Sequence, residues 1–355
     1  MPVHVRVLRT HFPHWGAYSG INQFLNYLDL GKYIVDMHVV SDSDEDFPVE
    51  HPRIREWVRG VVKKQGMEWY KLSDLAAEIS ALRQFCRRKV DILHYLDGEH
   101  SALFLPKLLK GFGKFRPKLV ATYHQPSDVL GSLVNRKVIA KLDCVTVVSP
   151  DQLLFFQDLL PPDKIRLILH GIDTNHFRPA ASSKDGHPFT CVTTGHYLRD
   201  FDVVRQVAEK LKAYKEIEFH VVTSKPTGLE NLPNVTVHRE HIADDELLRL
   251  YQHSQVLFLP LVQSTANNSL LEGLACGLPI VSTFLSSVKV YAPGNEAVLI
   301  KDNAPQQFVD TILHLFHNPE ERRIMAQAAR RRAEELDWRR IAPQYDSLYS
   351  AVTGL

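Results

Sequence analysis

The chain has 355 residues, 45% of them hydrophobic, which is enough apolar material for two domains of ordinary size and argues against disorder. Its 42 Lys and Arg nearly cancel its 41 Asp and Glu, so the basic excess that holds nucleic-acid phosphates is missing and positive charge must be local. The four cysteines, Cys86, Cys144, Cys191 and Cys276, show no CxxC spacing, which leaves zinc and dithiol chemistry unsupported and suits a reducing cytoplasm.

The opening "MPVHVRVLRT" alternates as a strand does and lacks an apolar signal core. No apolar run is long enough to span a bilayer. The expectation is a cytoplasmic protein, at most peripheral on the inner face of the membrane. From there, short β-rich runs alternate with helical patterns. The first set is "VHVRVLR", "MHVVSD", "DILHYL", "KLVATYH", "CVTVVSP" and "IRLILHGID". The second is "FTCVTTG", "IEFHVVTS", "VTVHRE", "VLFLPL", "PIVSTF" and "AVLIK". Runs this apolar, separated by helices, predict parallel strands buried on both faces. The Pro-, Ala- and Ser-containing stretch 178–189 between the sets reads as a linker. The expected organisation is an N-terminal acceptor-binding domain over 1–178, a C-terminal nucleotide-sugar domain over 179–338, and a terminal helix, 339–355, packed back on the first. The fold class is α/β, two facing doubly wound, Rossmann-like parallel sheets with ligands taken in a shared cleft beyond the strand ends.

The segment "STANNSLLEGLACGLPIVST", residues 264–283, follows the strand that ends near Leu261. A helix beginning near Asn267 or Asn268 leaves N–H groups unpaired in its first turn, and with the helix dipole these favour an anion such as phosphate. Ser264, Thr265, Asn267 and Asn268 can cap that helix or donate to the anion. Leu270, Leu271 and Leu274 form its buried stripe. Asn268 and Glu272 are four apart and share a face, so Glu272 lies about one turn, roughly 5.4 Å, below the anion. A carboxylate there can accept both hydroxyls of a ribose. The simpler alternative is a capped amphipathic helix with one exposed glutamate. Gly277 and Pro279 end the helix.

"LLEGLACGLPIVST" resembles the nucleotide-sugar motif of retaining glycosyltransferase family 4, usually LEAMACGxPVV. "HGIDTNHFRP" over 170–179 resembles that family's N-G-V-D-x-x-x-F-x-P. "SGINQFLNYL" resembles its glycine loop and the helix after it, and "LDWRRIAPQYDSLY" its closing helix. The resemblance runs through nearly the whole chain in the family's order. It implies a GT-B fold and transfer of a sugar from a UDP- or GDP-sugar to a sugar, polysaccharide or lipid-linked acceptor hydroxyl. It also implies retention of configuration, with no metal and no cofactor. Carried over by residue, Glu272 binds ribose, Asn267 and Asn268 face the diphosphate, Gly20 lies in the glycine loop, and His124 touches the transferred sugar or the acceptor. Two departures stand out. Ser264 replaces a family glutamate that contacts the sugar. In "TGHYLRDFD", His196 and Phe201 replace an Arg and a Lys that face the diphosphate. Arg199 is the nearest fixed cation, and Lys225 a weaker candidate; a salt bridge to Asp200 or Asp202 is the alternative for Arg199.

"SDSDED" over 41–46 has D-x-D spacing but reads as a solvated acidic loop. No GxGxxG, P-loop, GxSxG or HExxH pattern fits the chain. Two further functions stay open: a nucleotide-sugar 2-epimerase of the same shape, and a non-catalytic nucleotide-sugar-binding protein. Stretches 51–72 and 107–118 mix basic and aromatic residues and predict a peripheral contact with anionic membrane, against a plain basic surface as the alternative.

Overall fold

Each of the twelve apolar runs overlaps one strand, and every pairing between these strands is parallel. The computed structural model describes residues 2–12, 16–87, 90–181, 188–239 and 242–354. Residues 182–187 of the expected linker and Glu240 of the expected strand lie outside these.

The first sheet comprises β1 (Val3–His11), β2 (Tyr33–Ser41), β3 (Ile92–Tyr95), β4 (Lys118–Tyr123), β5 (Cys144–Val147) and β6 (Ile165–Leu167), in the order β2-β1-β3-β4-β5-β6. The second comprises β7 (Phe189–Thr194), β8 (Ile217–Val222), β9 (Val235–His238), β10 (Val256–Leu259), β11 (Ile280–Thr283) and β12 (Ala297–Ile300), in the order β12-β11-β10-β7-β8-β9. Central strands β3, β5, β7, β10 and β11 are buried along their whole length, because helices cover both faces of a parallel sheet. Their Val, Ile, Leu and Phe side chains build two separate cores. One joins Leu93, Leu119 and Val145 to Ala77, Leu130 and Phe156; the other joins Phe219, Phe258 and Val281 to Val204, Val207 and Phe308.

Each order contains one place where the connections reverse direction. It falls between β1 and β3 in the first sheet and between β7 and β10 in the second. Loops leaving the carboxyl ends of those strands part to opposite sides and leave a crevice there.

The chain divides into two compact units. One comprises Met1–Trp15, Ile21–His170 and Arg339–Leu355, the other Gly16–Gly20 and Gly171–Trp338. The helix Trp338–Thr353 supplies the first unit with buried polar ties. Tyr349 Oη lies 2.7 Å from His94 Nδ1, His94 Nε2 lies 2.8 Å from Thr122 Oγ1, and Thr122 meets Thr146 at 2.6 Å. Burial pushes His94 down to about 3, so this relay runs through a neutral ring. At the same helix, Asp346 accepts from Lys32 Nζ at 2.8 Å and Tyr33 Oη at 2.5 Å.

Two expectations change. The helix after the glycine loop is a 3-10 helix, Ile21–Tyr27, in which the buried Ile21 and Phe24 are three apart and so share a side at three residues per turn. The acidic loop 41–46 is not simply solvated. Asp44 pairs with Arg59 at 2.6 Å and accepts from Leu72 N at 2.8 Å, and Asp46 accepts from Ser41 N at 2.9 Å.

Candidate functional site

In the second unit, β7 ends at Thr194 and turns at Gly195, whose φ is +81°. A Cβ there would meet Arg199 Nη2 at 3.0 Å, so glycine permits both the turn and the arginine behind it. Leu198, at φ +59°, forms the next bend. Val262 N donates to Leu198 O at 3.0 Å and Asp200 N to Pro260 O at 3.0 Å, which sews the loop after β7 to the loop after β10.

Those stitches fix Arg199. Nε donates to Thr194 O at 2.9 Å and Nη1 to Tyr197 O at 2.9 Å, while Nη2 reaches Ser269 Oγ at 3.1 Å and Asn267 Oδ1 at 3.3 Å. Neither Asp200 nor Asp202 pairs with it. Asp200 caps the helix Phe201–Leu211, accepting from Val203 N at 3.1 Å, and Asp202 meets Arg205 at 3.4 Å. Burial pushes the guanidinium down to about 10, so it remains a cation at neutral pH.

The helix Asn268–Ala275 opens beside it. Asn267 is its N-cap, accepting from Leu270 N at 3.2 Å. Gly273 lets the helix lie on β10, since a Cβ would stand 2.8 Å from Leu257 Cδ2. Glu272 is 5% exposed. Its Oε1 accepts from Ser19 Oγ at 2.7 Å and its Oε2 from Tyr251 Oη at 2.8 Å. Burial raises its pKa, and those two hydrogen bonds oppose the rise. Tyr251 Oη also lies 2.8 Å from Thr194 Oγ1. Segment Gly16–Gly20 is held by this unit. Ala17 N donates to Asp244 Oδ2 at 2.9 Å, and Tyr18 stacks on His176 with ring centroids 3.6 Å apart.

The structure thus gathers Arg199, Asn267, Asn268 and Glu272 around one helix. Gly20, at φ +101°, follows Ser19 directly. Ser264 and Thr265 are buried in the loop after β10, with Ser264 Oγ donating to Thr265 O at 3.2 Å. His196 is half-buried after β7. Lys225 is exposed after β8, one strand farther from the crevice. Sequence reasoning missed Tyr251, Ser269 and Asp244. Tyr251 gave only the signal of a buried position on an amphipathic helix, Asp244–His253.

In the first unit, Thr10 N donates to Asp97 Oδ2 at 2.9 Å, which joins the ends of β1 and β3. His124 follows β4. Its backbone N–H donates to Glu99 Oε1 at 3.0 Å, and its Nε2 lies 2.7 Å from Leu96 O. A carbonyl only accepts, so Nε2 donates in this contact and holds the ring in place. Asp97 Oδ1 stands 3.9 Å from Nε2. Burial raises Glu99 to about 7.

The basic-aromatic stretches are partly spent on internal contacts. Arg55 donates to the carbonyls of Phe47 at 3.2 Å and Val49 at 3.1 Å, Arg59 pairs with Asp44, and Arg116 pairs with Asp143 at 2.5 and 2.9 Å. Val62 and Tyr70 are interior, which corrects their placement on a surface; Trp57 (70%) and Phe115 (77%) are exposed. The side chain of Lys114 lies outside the described residues.

Two parallel six-stranded sheets, each with its crevice at a reversal of strand order, are the architecture of the GT-B glycosyltransferases. The likenesses among solved structures agree. Sucrose-phosphate synthase from Thermosynechococcus elongatus superposes with a TM-score of 0.75, 15% identity and 99% of both chains covered. Anabaena Alr3699/HepE, solved with UDP-glucose, superposes at 0.66 with 12% identity, covering 98% of this chain and 99% of that one. Two family models match in succession, "Glycosyltransferase Family 4" over residues 29–176 and "Glycosyl transferases group 1" over 189–318. The chain belongs to the family 4 type of glycosyltransferase. It is similar to the D-inositol 3-phosphate glycosyltransferase of Saccharomonospora viridis, 23% identical over 267 residues, 66% of this chain and 62% of the relative. It spans 31%, 26% and 62% of the length of three such relatives, in each case less than two thirds. Among the described residues no helix is long and apolar enough to cross a membrane.

Proposed function

We propose that the protein moves a sugar from a UDP- or GDP-sugar to an acceptor hydroxyl with retention of configuration and without a metal. The single observation that carries the donor side is the convergence of Arg199, Asn267 and Glu272 on the eight-residue helix Asn268–Ala275. The diphosphate lies at that helix start, where N–H groups, the dipole and the Arg199 fork meet its charge. Glu272, one turn farther along, receives the ribose hydroxyls. Ser264 and Thr265 donate near the phosphate or the sugar, and the Gly20 loop lies beside the ribose contact. Lys225 and His196 are the outer candidates. A fixed guanidinium and a helix N-terminus act where a metal would otherwise stabilise the leaving diphosphate, and they need little reorganisation during reaction. In this mechanism the departing diphosphate takes the acceptor proton, and the protein positions both substrates.

The first unit takes the acceptor. His124, ring held through Nε2, contacts the acceptor or the transferred sugar. A lipid-linked acceptor is compatible with the exposed Trp57 and Phe115, which can enter the interface of an anionic membrane from the cytoplasmic side. The commitment of Arg55, Arg59 and Arg116 to internal partners leaves fewer charges for lipid. The likeness to D-inositol 3-phosphate glycosyltransferases makes a sugar or cyclitol acceptor the first class to test.

The experiment is release of nucleoside diphosphate from UDP-glucose or GDP-mannose with and without an acceptor panel, in EDTA. Acceptor-dependent release supports transfer. Conversion of donor without acceptor supports a 2-epimerase, and binding without release a non-catalytic protein.

A further inference from the structure

Among the described residues, every residue other than glycine with a left-handed backbone lies in the second unit: Leu198 at φ +59°, Asp302 at φ +54° and Asn303 at φ +49°. Leu198 belongs to the loop after β7 that carries Arg199. Asp302 and Asn303 end the short turn Lys301–Asn303, between β12 and the helix Pro305–His317. Asp and Asn tolerate this conformation better than most side chains, but two in succession are strained, and such strain persists where the surroundings hold it in place.

The Asn303 side chain is what holds the turn. Its Oδ1 accepts from Thr283 Oγ1 at 2.5 Å, and its Nδ2 donates to Asp200 Oδ2 at 2.9 Å and to Leu261 O at 3.0 Å. Thr283 Oγ1 accepts in turn from Leu261 N at 2.7 Å, so Leu261 is held at both its N–H and its carbonyl. One amide therefore joins the ends of β11 and β10 to the loop after β7. Both acceptors of Nδ2 flank Arg199. Leu261 forms an isolated antiparallel bridge with it, and Asp200 follows it in the chain.

The site faces this side chain with one donor, Thr283 Oγ1, and two acceptors, Leu261 O and Asp200 Oδ2. An amide offers the complement, one acceptor and two donors. Aspartate has the same shape and also tolerates the backbone, but it would set a second acceptor against Leu261 O and Asp200. Glycine would adopt the φ with no strain and make none of the three bonds. Backbone tolerance alone thus fails to account for asparagine here.

We propose that Asn303 is a positioning residue for nucleoside diphosphate binding: its amide clamps Leu261 and Asp200 on either side of Arg199 and so fixes the guanidinium before the ligand arrives. This rests on the reading of Arg199 as the cation that meets the diphosphate.

The test compares Asn303→Gly and Asn303→Ala with the wild type on the full chain, each checked for folding by circular dichroism. UDP and GDP affinities are read by calorimetry, and the Arg199 Nε–H signal is followed in proton–nitrogen NMR spectra and identified by its loss in Arg199→Lys. Both variants should bind nucleotide more weakly by about fivefold or more, and in both the Nε–H signal should broaden or move, although glycine relieves the backbone. In an Arg199→Ala background, Asn303→Gly should change affinity by less than about twofold, because a residue that acts through Arg199 has nothing left to act on. Wild-type affinity and an unmoved Nε–H signal in Asn303→Gly overturn the proposal, since asparagine would then serve only the left-handed turn. An equal loss with and without Arg199 also overturns it, since Asn303 would then support the unit generally. If Arg199→Ala alone leaves nucleotide affinity unchanged, the donor reading fails, and the Nε–H signal still decides whether Asn303 fixes the guanidinium.

Discussion

The two units present the same topological feature, a crevice at the carboxyl ends of a parallel sheet, and finish it in opposite ways. Around β7 and β10 the polar side chains are held in place. Arg199 donates to four acceptors, and Glu272 accepts from two donors. Around β1 and β3, Glu99, Thr10 and His100 keep atoms without partners. The difference is that one sheet end carries fixed, hydrogen-bonded charges and the other carries buried polar atoms that meet no partner. Prearranged charges are strong because nothing must move when the ligand's charge arrives.

The comparison can be broken most sharply at Arg199. Arg199→Ala should weaken nucleoside diphosphate binding by about 30-fold or more, since a charge-assisted hydrogen bond contributes about 1.5–3 kcal/mol and the fork makes more than one. Arg199→Lys should recover only part of that, because an ammonium cannot reach Thr194 O, Tyr197 O and Ser269 Oγ together. Calorimetry with UDP and GDP reads both. If lysine restores full affinity, geometry matters less than charge and the contrast with the first unit weakens.

On the other sheet, His124→Ala should lower turnover by about 100-fold, the usual range for a positioned proton-transfer or hydrogen-bonding group, while nucleotide affinity stays unchanged. Equal loss of both, or of neither, would make His124 a structural group bound to Leu96 O.

Glu99 gives a stability signature. Its folded pKa of about 7 lies above the ordinary 4.5, so the folded chain holds a proton that the unfolded chain has released. The stabilisation is therefore complete below pH 4.5 and is lost as pH rises through 7, by at most about 3 kcal/mol. Thermal unfolding from pH 4.5 to 7.5 should show a shallower decline in Glu99→Gln than in the wild type. Identical slopes would mean that Glu99 is not held in the protonated range by burial.

The smallest effect belongs to Asn267→Ala. Loss of the cap should cost about 1 kcal/mol in urea unfolding, with a further modest fall in nucleotide affinity because Arg199 Nη2 loses one acceptor.

What could be read from the residues follows from how local each signal is. A buried parallel strand announces itself as a short apolar run, so ten of the twelve strands lay inside such runs, while β1 and β2 extend beyond theirs. The cap at Asn267, the stripe of Leu270, Leu271 and Leu274 and the left-handed Gly277 at φ +67° are set within one helix, and that helix was legible end to end. The partners of Glu272 were not. Ser19 and Tyr251 are 253 and 21 residues away, and only the fold brings their hydroxyls to that carboxylate. Glu99 was illegible for a different reason. In "LDGEH" it looks like an ordinary polar loop residue, and its meaning comes from burial without a second partner. In the basic stretches the converse holds: Tyr70 lies beside charged residues in sequence and is buried in the structure.

The most direct test of the donor assignment is calorimetric titration of UDP and GDP into the wild type, Glu272→Ala and Glu272→Gln, each checked for folding by circular dichroism. Glu272→Ala should bind at least tenfold more weakly, consistent with loss of a charged hydrogen bond of about 1.5–3 kcal/mol. Titration with 2′,3′-dideoxy nucleotide should erase most of the difference between wild type and variant, because that ligand has no hydroxyls for Glu272 to receive. A folded Glu272→Ala protein with wild-type affinity for UDP and GDP would contradict the account.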